Sequence, residues 1–349
     1  MAKPATIKDV ALLAGVSTAT VSRVLNRSAR VEQSVLEKVE AAVEQLRYRR
    51  NLVARGLRTQ RADIVSLICS DIENPFFTAI CRGIEDYASK LGLSVVICNT
   101  DGNFAKELEY IDMLSSQSVS GVIISPTSSS ETDVSKLVRQ GVAVVAVDRR
   151  LRHKTDAVFI DNKLGAFQAT DHLIKSGAQR VACITGPRNV MTAQDRLAGY
   201  KAALAANGMP ARTSLIRFAD FKDEGGMQAV RELLDGPNRP DGIFVANNRM
   251  TTGALVALRE LGVRIPDEIS LVGFDDLPWA DLVSPSITTV RQPAYELGRA
   301  AARLLTERMQ GLADPRPREI VLDPELIIRD SSRKPGLAAT PPKSRRSRT

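Results

Sequence analysis

The chain has 349 residues, 44% of them hydrophobic and 25% charged. That length exceeds what one core usually organises, so several compact units are implied, and the composition is that of an ordinary globular protein. The longest apolar runs, such as Val142 to Val147, fall far short of the ~20 residues that cross a bilayer. The formal charge of +8 is unevenly placed. Residues 1–60 hold 11 Lys/Arg against 5 Asp/Glu, residues 333–349 hold 6 against none, and the middle is mildly acidic. A basic head on an acidic body favours a polyanionic partner at the head.

Met1 to Thr6 shows no basic stretch, apolar run and small-residue cleavage site, so no secretory leader is expected and a cytoplasmic location is. Cys69, Cys81, Cys98 and Cys183 have no zinc-type spacing, and the only histidines are His153 and His172. Reduced thiols, no metal and no cofactor are therefore expected.

Thr6-Ile7-Lys8-Asp9 reads as a capping-box start, with Ile7, Val10, Ala11 and Ala14 at helical spacing. Gly15 can supply the positive φ of a tight turn. Ser17 then caps a second helix that stops near Asn26. Val16, Val21, Val24 and Leu25 form its apolar stripe, leaving Thr18, Ala19, Ser22 and Arg23 outward. A third helix, about 32–46, offers Val35, Leu36, Val39, Val43 and Leu46 to close the core. This is the pattern of a helix-turn-helix, whose second helix presents its N-terminal residues to bases in the major groove. Small side chains let it sit deep, and Arg23 can donate twice to guanine or reach a phosphate.

The run Thr6-Ile7-Lys8-Asp9-Val10-Ala11, with Ala14-Gly15-Val16-Ser17 and Thr20-Val21-Ser22-Arg23-Val24-Leu25-Asn26, closely resembles the LacI/GalR repressor family signature. The resemblance implies that Thr18, Ala19 and Arg23 read bases. It implies that Thr6, Ser17, Thr20, Ser22 and Asn26 contact or orient backbone phosphates. Asn51-Leu52-Val53-Ala54-Arg55-Gly56-Leu57-Arg58 looks like the family's hinge helix, with Asn51, Ala54 and Leu57 at DNA-contacting positions and Leu57 as a minor-groove wedge. Such a wedge unstacks a base step and kinks the duplex, and so short a helix needs DNA to be stable. Where the family usually has Tyr-x-Pro-Asn, this chain has Tyr48-Arg49-Arg50-Asn51, a less rigid approach with two extra cations.

After Gln60, short β-branched runs alternate with helical stretches: Ile64–Cys69, Ser94–Cys98, Val122–Ser125, Val142–Val147, Val181–Thr185, Gly242–Ala246 and Ile269–Gly273. Such alternation implies parallel sheets with helices on both faces, and the length suits two lobes. In open α/β sheets ligands sit beyond the carboxyl ends of the strands. Polar and aromatic residues collect at those ends: Asp71 to Phe77, Asp148-Arg149, Asp161-Asn162, Arg196, Phe221, Asn247-Asn248, Asp275-Asp276 and Gln292. Carboxylates and guanidinium groups suit vicinal hydroxyls, and phenylalanines suit the C–H side of a sugar ring.

The motifs Asn74-Pro75-Phe76-Phe77, Arg196-Leu197-Ala198-Gly199-Tyr200, Gly273-Phe274-Asp275-Asp276 and Thr288-Thr289-Val290-Arg291-Gln292-Pro293 are similar to the same family's periplasmic-binding-protein-like domain. The resemblance implies that Asp148, Arg196, Asn247 and Asp275 bond ligand hydroxyls and that Asn74, Phe76, Phe77, Arg149, Phe221 and Gln292 complete the pocket. The set is also similar to that of ribose-binding proteins, which ranks a pentose or furanose first. Val190 replaces the arginine that purine-responsive relatives place near Thr192, against a purine corepressor.

The expected fold class is α/β, a two-lobed body with parallel sheets, plus a small all-α helix-turn-helix domain. Residues 1–50 form the DNA-binding domain, 51–60 the hinge and 61–332 the ligand-binding and dimerisation domain. Lobe 1 spans about 61–161 and 292–322, and lobe 2 about 163–290 and 324–332. The family topology implies three crossings, near Asp161–Lys163, Val290–Gln292 and Leu322–Pro324. The tail, 333–349, has the composition of a disordered segment, either solubilising or weakly DNA-attracting. The expected partners are pseudo-palindromic operator DNA, a sugar effector and a second copy of the chain, with dimer or tetramer left open and no membrane. Two other classes fit the sequence less well. An enzyme is disfavoured by the absence of G-x-G-x-x-G, G-x-x-x-x-G-K-[ST] and G-x-S-x-G motifs. An exported sugar-binding protein is disfavoured by the helix-turn-helix and the missing leader.

Overall fold

The computed structural model describes residues 5–26, 31–46, 63–117 and 119–332, which fall into two compact units divided between residues 62 and 63. Asn51, Ala54, Leu57, the Tyr48–Asn51 segment and the basic tail lie outside the described residues.

The first unit contains α1 (Ile7–Ala14), α2 (Thr18–Asn26) and α3 (Gln33–Gln45). The Asp9 carboxylate starts α1 by accepting from both the backbone N–H and the hydroxyl of Thr6, each at 2.7 Å. Gly15 ends it at φ 66°, a conformation costing roughly 1–2 kcal/mol for a residue with a Cβ. The Val16 N–H then reaches back to the Ala11 carbonyl at 3.0 Å. Ser17 Oγ accepts from the Thr20 N–H at 3.1 Å and so starts α2. Val10, Ala11, Ala14, Val21, Val24, Val39 and Ala42 form the buried centre, ringed by Val16, Leu25, Val35, Leu36, Val43 and Leu46.

The second unit runs β1 (Ile64–Cys69), α4 (Pro75–Ser89), β2 (Ser94–Asn99), α5 (Phe104–Ser116), β3 (Gly121–Ile124), α6 (Ser135–Arg139), β4 (Ala143–Val147) and β5 (Asp156–Ile160). It continues with α7 (Asn162–Lys175), β6 (Val181–Thr185), α8 (Met191–Ala206), β7 (Ile216–Phe218), α9 (Asp223–Leu234), β8 (Gly242–Val245), α10 (Asn248–Glu260), β9 (Ser270–Phe274) and β10 (Thr288–Arg291). The last elements are α11 (Ala294–Met309), β11 (Glu319–Leu322) and β12 (Glu325–Ile327). Strands such as Val181–Thr185 and Gly242–Val245 are buried throughout, as parallel strands covered on both faces must be.

Two six-stranded sheets result, ordered β11-β5-β4-β3-β1-β2 and β12-β10-β9-β8-β6-β7. The chain passes from the first sheet to the second after β5, back after β10, and again between β11 and β12. All pairs are parallel except β10 with β12. Parallel sheets were expected, but β12 enters the second sheet at Glu325, beside Arg291 where β10 leaves it, so the two run in opposite directions. Strand order reverses between β1 and β3 in one sheet and between β6 and β8 in the other. Such switch points open a crevice at the carboxyl ends of the strands, and each lobe brings one.

The first lobe is pinned at its edge by one buried carboxylate. Asp156 accepts from Arg308 Nε at 2.9 Å and Nη2 at 2.7 Å, from Arg318 Nη2 at 3.1 Å, and from the Arg318 N–H at 2.7 Å. Burial alone would push its pKa up, but these bonds outweigh it and hold the carboxyl below the usual range. Replacing it leaves two arginines without their shared partner. Asp156→Ala is expected to cost about 3 kcal/mol, read as a lower urea midpoint with an unchanged m value. Because the folded pKa is depressed, the contribution is present at neutral pH and lost as pH falls through the folded value. The stability gap between wild type and variant therefore closes on acidification.

Candidate functional site

In the first unit, Thr18, Ala19 and Arg23 are exposed on α2, on the side away from Val21 and Val24. Ser17 and Thr20 bond one another through their hydroxyls at 2.9 Å at the helix start. Thr6 is exposed at the start of α1, Ser22 is half-buried, and Asn26 ends α2 with its side chain outside the description. The arrangement gives one helix face with a methyl, hydroxyls and a guanidinium, beside two helix N-termini whose dipoles favour phosphate.

In the second unit the two crevices enclose a cavity of about 320 Å³. Nine of the ten expected ligand residues line it: Asn74, Phe76, Phe77, Asp148, Arg149, Arg196, Phe221, Asn247 and Asp275. Gln292 is not on the wall. It sits behind Asp275 and donates from Nε2 to that carboxylate, so its position after β10 serves to orient the acid.

Arg196 is buried on α8 and held by two hydrogen bonds and a stacked ring. Its Nε donates to Asn162 Oδ1 at 2.8 Å, Nη1 donates to the Ala246 carbonyl at 2.6 Å, and its plane lies 3.9 Å from the Phe274 ring centre. Asp275 Oδ2 is 4.0 Å from Nη1. Burial pulls the Arg196 pKa down, against the pull of Asp275 and Asp148. Burial pushes the Asp275 pKa up; Arg196 and Gln292 oppose that and Asp148 adds to it. Across the cleft, Arg149 Nε lies 3.3 Å from Asp148 Oδ2 while its Nη1 donates to the Pro126 carbonyl at 3.1 Å.

The backbone is strained where it meets the cavity. The described non-glycine residues with positive φ are Asp101 (54°), Asp148 (67°), Phe221 (66°) and Asp275 (70°), and all of them line it. Such conformations cost of order 1–3 kcal/mol each and persist where the surroundings over-determine them. Phe221 also depends on Gly186, where a Cβ would stand 2.1 Å from its ring. The ring takes the space a side chain would fill.

The amides hold the lobes together. Asn74 caps α4, its Oδ1 accepting from the Phe76 N–H at 2.9 Å and from Asn248 Nδ2 of the other lobe at 2.8 Å. Asn247 caps α10 by accepting from the Met250 N–H at 2.8 Å, and donates to the Phe221 carbonyl at 3.0 Å. Sequence reasoning named Asn247 and left Asn248 without a role; the interlobe bond supplies one.

It also did not assign the more exposed end of the cavity, where Asp71, Asp101, Asp220 and Lys222 stand. Lys222 Nζ donates to Asp101 Oδ1 at 2.6 Å and Asp71 Oδ2 at 3.1 Å. Arg249 pairs with Glu73 at 3.0 Å, Asp71 at 3.6 Å and Asp223 at 2.9 Å. The bond from Lys222 holds the Asp101 carboxyl below the usual range. Burial works against the Lys222 charge, but Asp101 and Asp71 outweigh it and raise its pKa. The available signals were the turn-forming Asp101-Gly102 pair after β2 and the place of Lys222 beside Phe221.

Among the described residues no helix is long and apolar enough to cross a membrane, and no group of three or more His, Cys, Asp or Glu is placed to hold a metal ion.

A two-lobed α/β body with a polar cleft at its strand ends, combined with a three-helix unit exposing one face of α2, defines a ligand-binding regulator with a helix-turn-helix. Residues 6–51 match the family of bacterial regulatory proteins, lacI family, and residues 170–332 match a periplasmic binding protein-like domain. The chain belongs to the lacI family of transcriptional regulators. It is 38% identical to the ribose operon repressor of Halalkalibacterium halodurans, over 87% of this chain and 90% of that one. The solved lac repressor dimer bound to operator and the anti-inducer ONPF is similar, with a TM-score of 0.84 at 30% identity, covering 95% of this chain and 99% of that one. A lacI-family regulator from Enterococcus faecium with bound ribose has a TM-score of 0.69 at 30% identity, covering 77% and 98%.

The coupling of the two acids across the cleft can be measured directly. Asp148→Asn removes a negative charge that raises the Asp275 pKa, and asparagine tolerates the positive φ. Carboxyl ¹³C NMR should show Asp275 titrating lower in the variant than in wild type; an unchanged value would mean the two do not interact.

Proposed function

We propose that this chain is a transcriptional repressor that binds a pseudo-palindromic operator as a homodimer, its operator affinity set by a neutral pentose held in the cleft, D-ribose first. One observation carries the ligand reading: nine residues from both lobes converge on one cavity with two carboxylates, two guanidinium groups and three phenylalanines. Hydroxyls can donate to Asp148 and Asp275 and accept from Arg149 and Arg196, and hydrogen bonds to charged partners are the strong ones. Phe76, Phe77 and Phe221 offer apolar walls to the ring's C–H faces. The ribose operon repressor among the relatives and the ribose-bound neighbour agree with this choice.

In this reading Thr18, Ala19 and Arg23 meet base edges, and Thr6, Ser17, Thr20, Ser22 and Asn26 hold the phosphate backbone. Asn51, Ala54 and Leu57 carry the hinge, with Leu57 as the wedge. The operator-bound lac repressor dimer supports a two-fold arrangement, and two-fold proteins need two half-sites. Ligand closes or rotates the lobes about the three crossovers. The cleft binds without turnover.

Calorimetry with D-ribose and a mobility shift on operator DNA test the reading together. Asp275→Ala should weaken ribose binding by about 100-fold or more and abolish the effect of ribose on DNA, while operator affinity without sugar stays the same. An unchanged ribose titration would refute the pocket. Leu57→Ala should weaken specific operator binding more than binding to random DNA; equal weakening of both would remove the wedge.

A further inference from the structure

We infer that Asp71 and Asp101 make the cleft selective for an uncharged ligand: by holding Lys222 across the cleft they keep its ammonium from a phosphate, so the free sugar is accepted and its phosphate ester refused. The inference rests on the sugar reading of the cleft and specifies which form of the sugar it takes.

The cavity is lined by five aspartates and three cations, and each cation already faces a carboxylate. Arg149 stands 3.3 Å from Asp148 and Arg196 stands 4.0 Å from Asp275. Lys222, on the second lobe after β7, lies 2.6 Å from Asp101 and 3.1 Å from Asp71, which follow β2 and β1 of the first lobe. Arg249 next to it is committed to Glu73 and Asp223.

Phosphate has a second usual site, the free N–H groups at a helix start. Two of the starts at the cavity are occupied by side chains, whereas α8 begins at Val190 on the cavity wall without a side-chain cap. Asn74 caps α4, which has a proline at its first turn, and Asn247 caps α10. The first turn of α9 carries Asp223 and Glu224, which repel an anion. A phosphate monoester brings a charge of roughly −1.5 to −2 at neutral pH. To pair with Lys222 it must displace Asp71 or Asp101 and leave that acid unpaired beside it. Specificity of this kind comes from what the competitor breaks. A free sugar leaves the bridge closed.

The test uses the full chain as wild type, as Asp71→Asn/Asp101→Asn, and as that double variant with Lys222→Gln added. Asparagine tolerates the positive φ at position 101. Calorimetric titrations use D-ribose, D-ribose 5-phosphate and inorganic phosphate. Wild type should bind ribose about 100-fold or more tighter than the 5-phosphate, since like charges brought together cost heavily. The double variant should narrow that gap by about ten-fold, gain affinity for inorganic phosphate by a similar factor, and lose both gains with Lys222→Gln. The basic N-terminal and C-terminal segments are common to all three proteins, so the difference isolates Lys222. Equal wild-type binding of ribose and its phosphate overturns the inference and leaves the ribose reading intact. Inorganic phosphate binding alike in all three proteins also overturns it. No ribose binding, with a Lys222-dependent phosphate gain in the double variant, sinks the choice of ribose and upholds the role of the two aspartates.

Discussion

The cleft depends on one buried guanidinium. Arg196 is removed from water on a helix of the second lobe, and a cation there is costly unless it is paired and hydrogen-bonded. Asn162 supplies one, the Ala246 carbonyl another, Asp275 the opposite charge and Phe274 a stacking face. Those four come from the start of α7, the end of β8 and the end of β9. One side chain therefore fixes the relative positions of several strand ends in that lobe. Asn162 also sits just past the first crossing between lobes, so this electrostatic centre is tied to the place where the lobes can turn.

A similar economy governs the acids. Asp148 and Asp275 approach from opposite lobes, each at a positive φ that only a rigid frame maintains. Gln292 holds Asp275 from behind. The result is a set of acceptors and donors aimed before any ligand arrives, which reduces the ordering cost of binding. The lobes are joined at the cleft by amides and by ion pairs, two devices that respond differently to salt. The bond between Asn248 and Asn74 is buried and insensitive, whereas the more exposed pairs of Lys222 and Arg249 weaken as ions screen them.

How much of this the sequence revealed follows from the range of the interactions. The helix-turn-helix was legible because its determinants are local: Asp9 three residues from Thr6, Gly15 at the turn, Ser17 at the cap, and apolar spacing that closes a core within forty residues of Ile7. The strand-end residues were legible because parallel sheets send their carboxyl ends to one place and the family motifs mark them. The pairs of Lys222 with Asp101 and Asp71 were not, since they join positions 121 and 151 residues apart across two separately built sheets. Gln292 was expected to complete the pocket and stands behind Asp275, because spacing gives proximity to a cleft and not the order of layers behind it. The antiparallel β12 escaped because a three-residue strand carries no periodicity that reveals its direction.

The last described strands give the molecule an order of assembly. β11 and β12 complete the edges of the two sheets, yet they occupy residues 319–327, after every described α-helix of the body. During synthesis β5 and β10 emerge long before the strands that cover them. Until then each sheet exposes an edge of unpaired N–H and C=O groups, the feature that invites wrong pairing with another chain. The helical unit at residues 7–45 has all its core residues at hand almost from the beginning. A chain interrupted before residue 319 would thus carry a finished helical unit on a body with two open sheets, its head complete before its sensor.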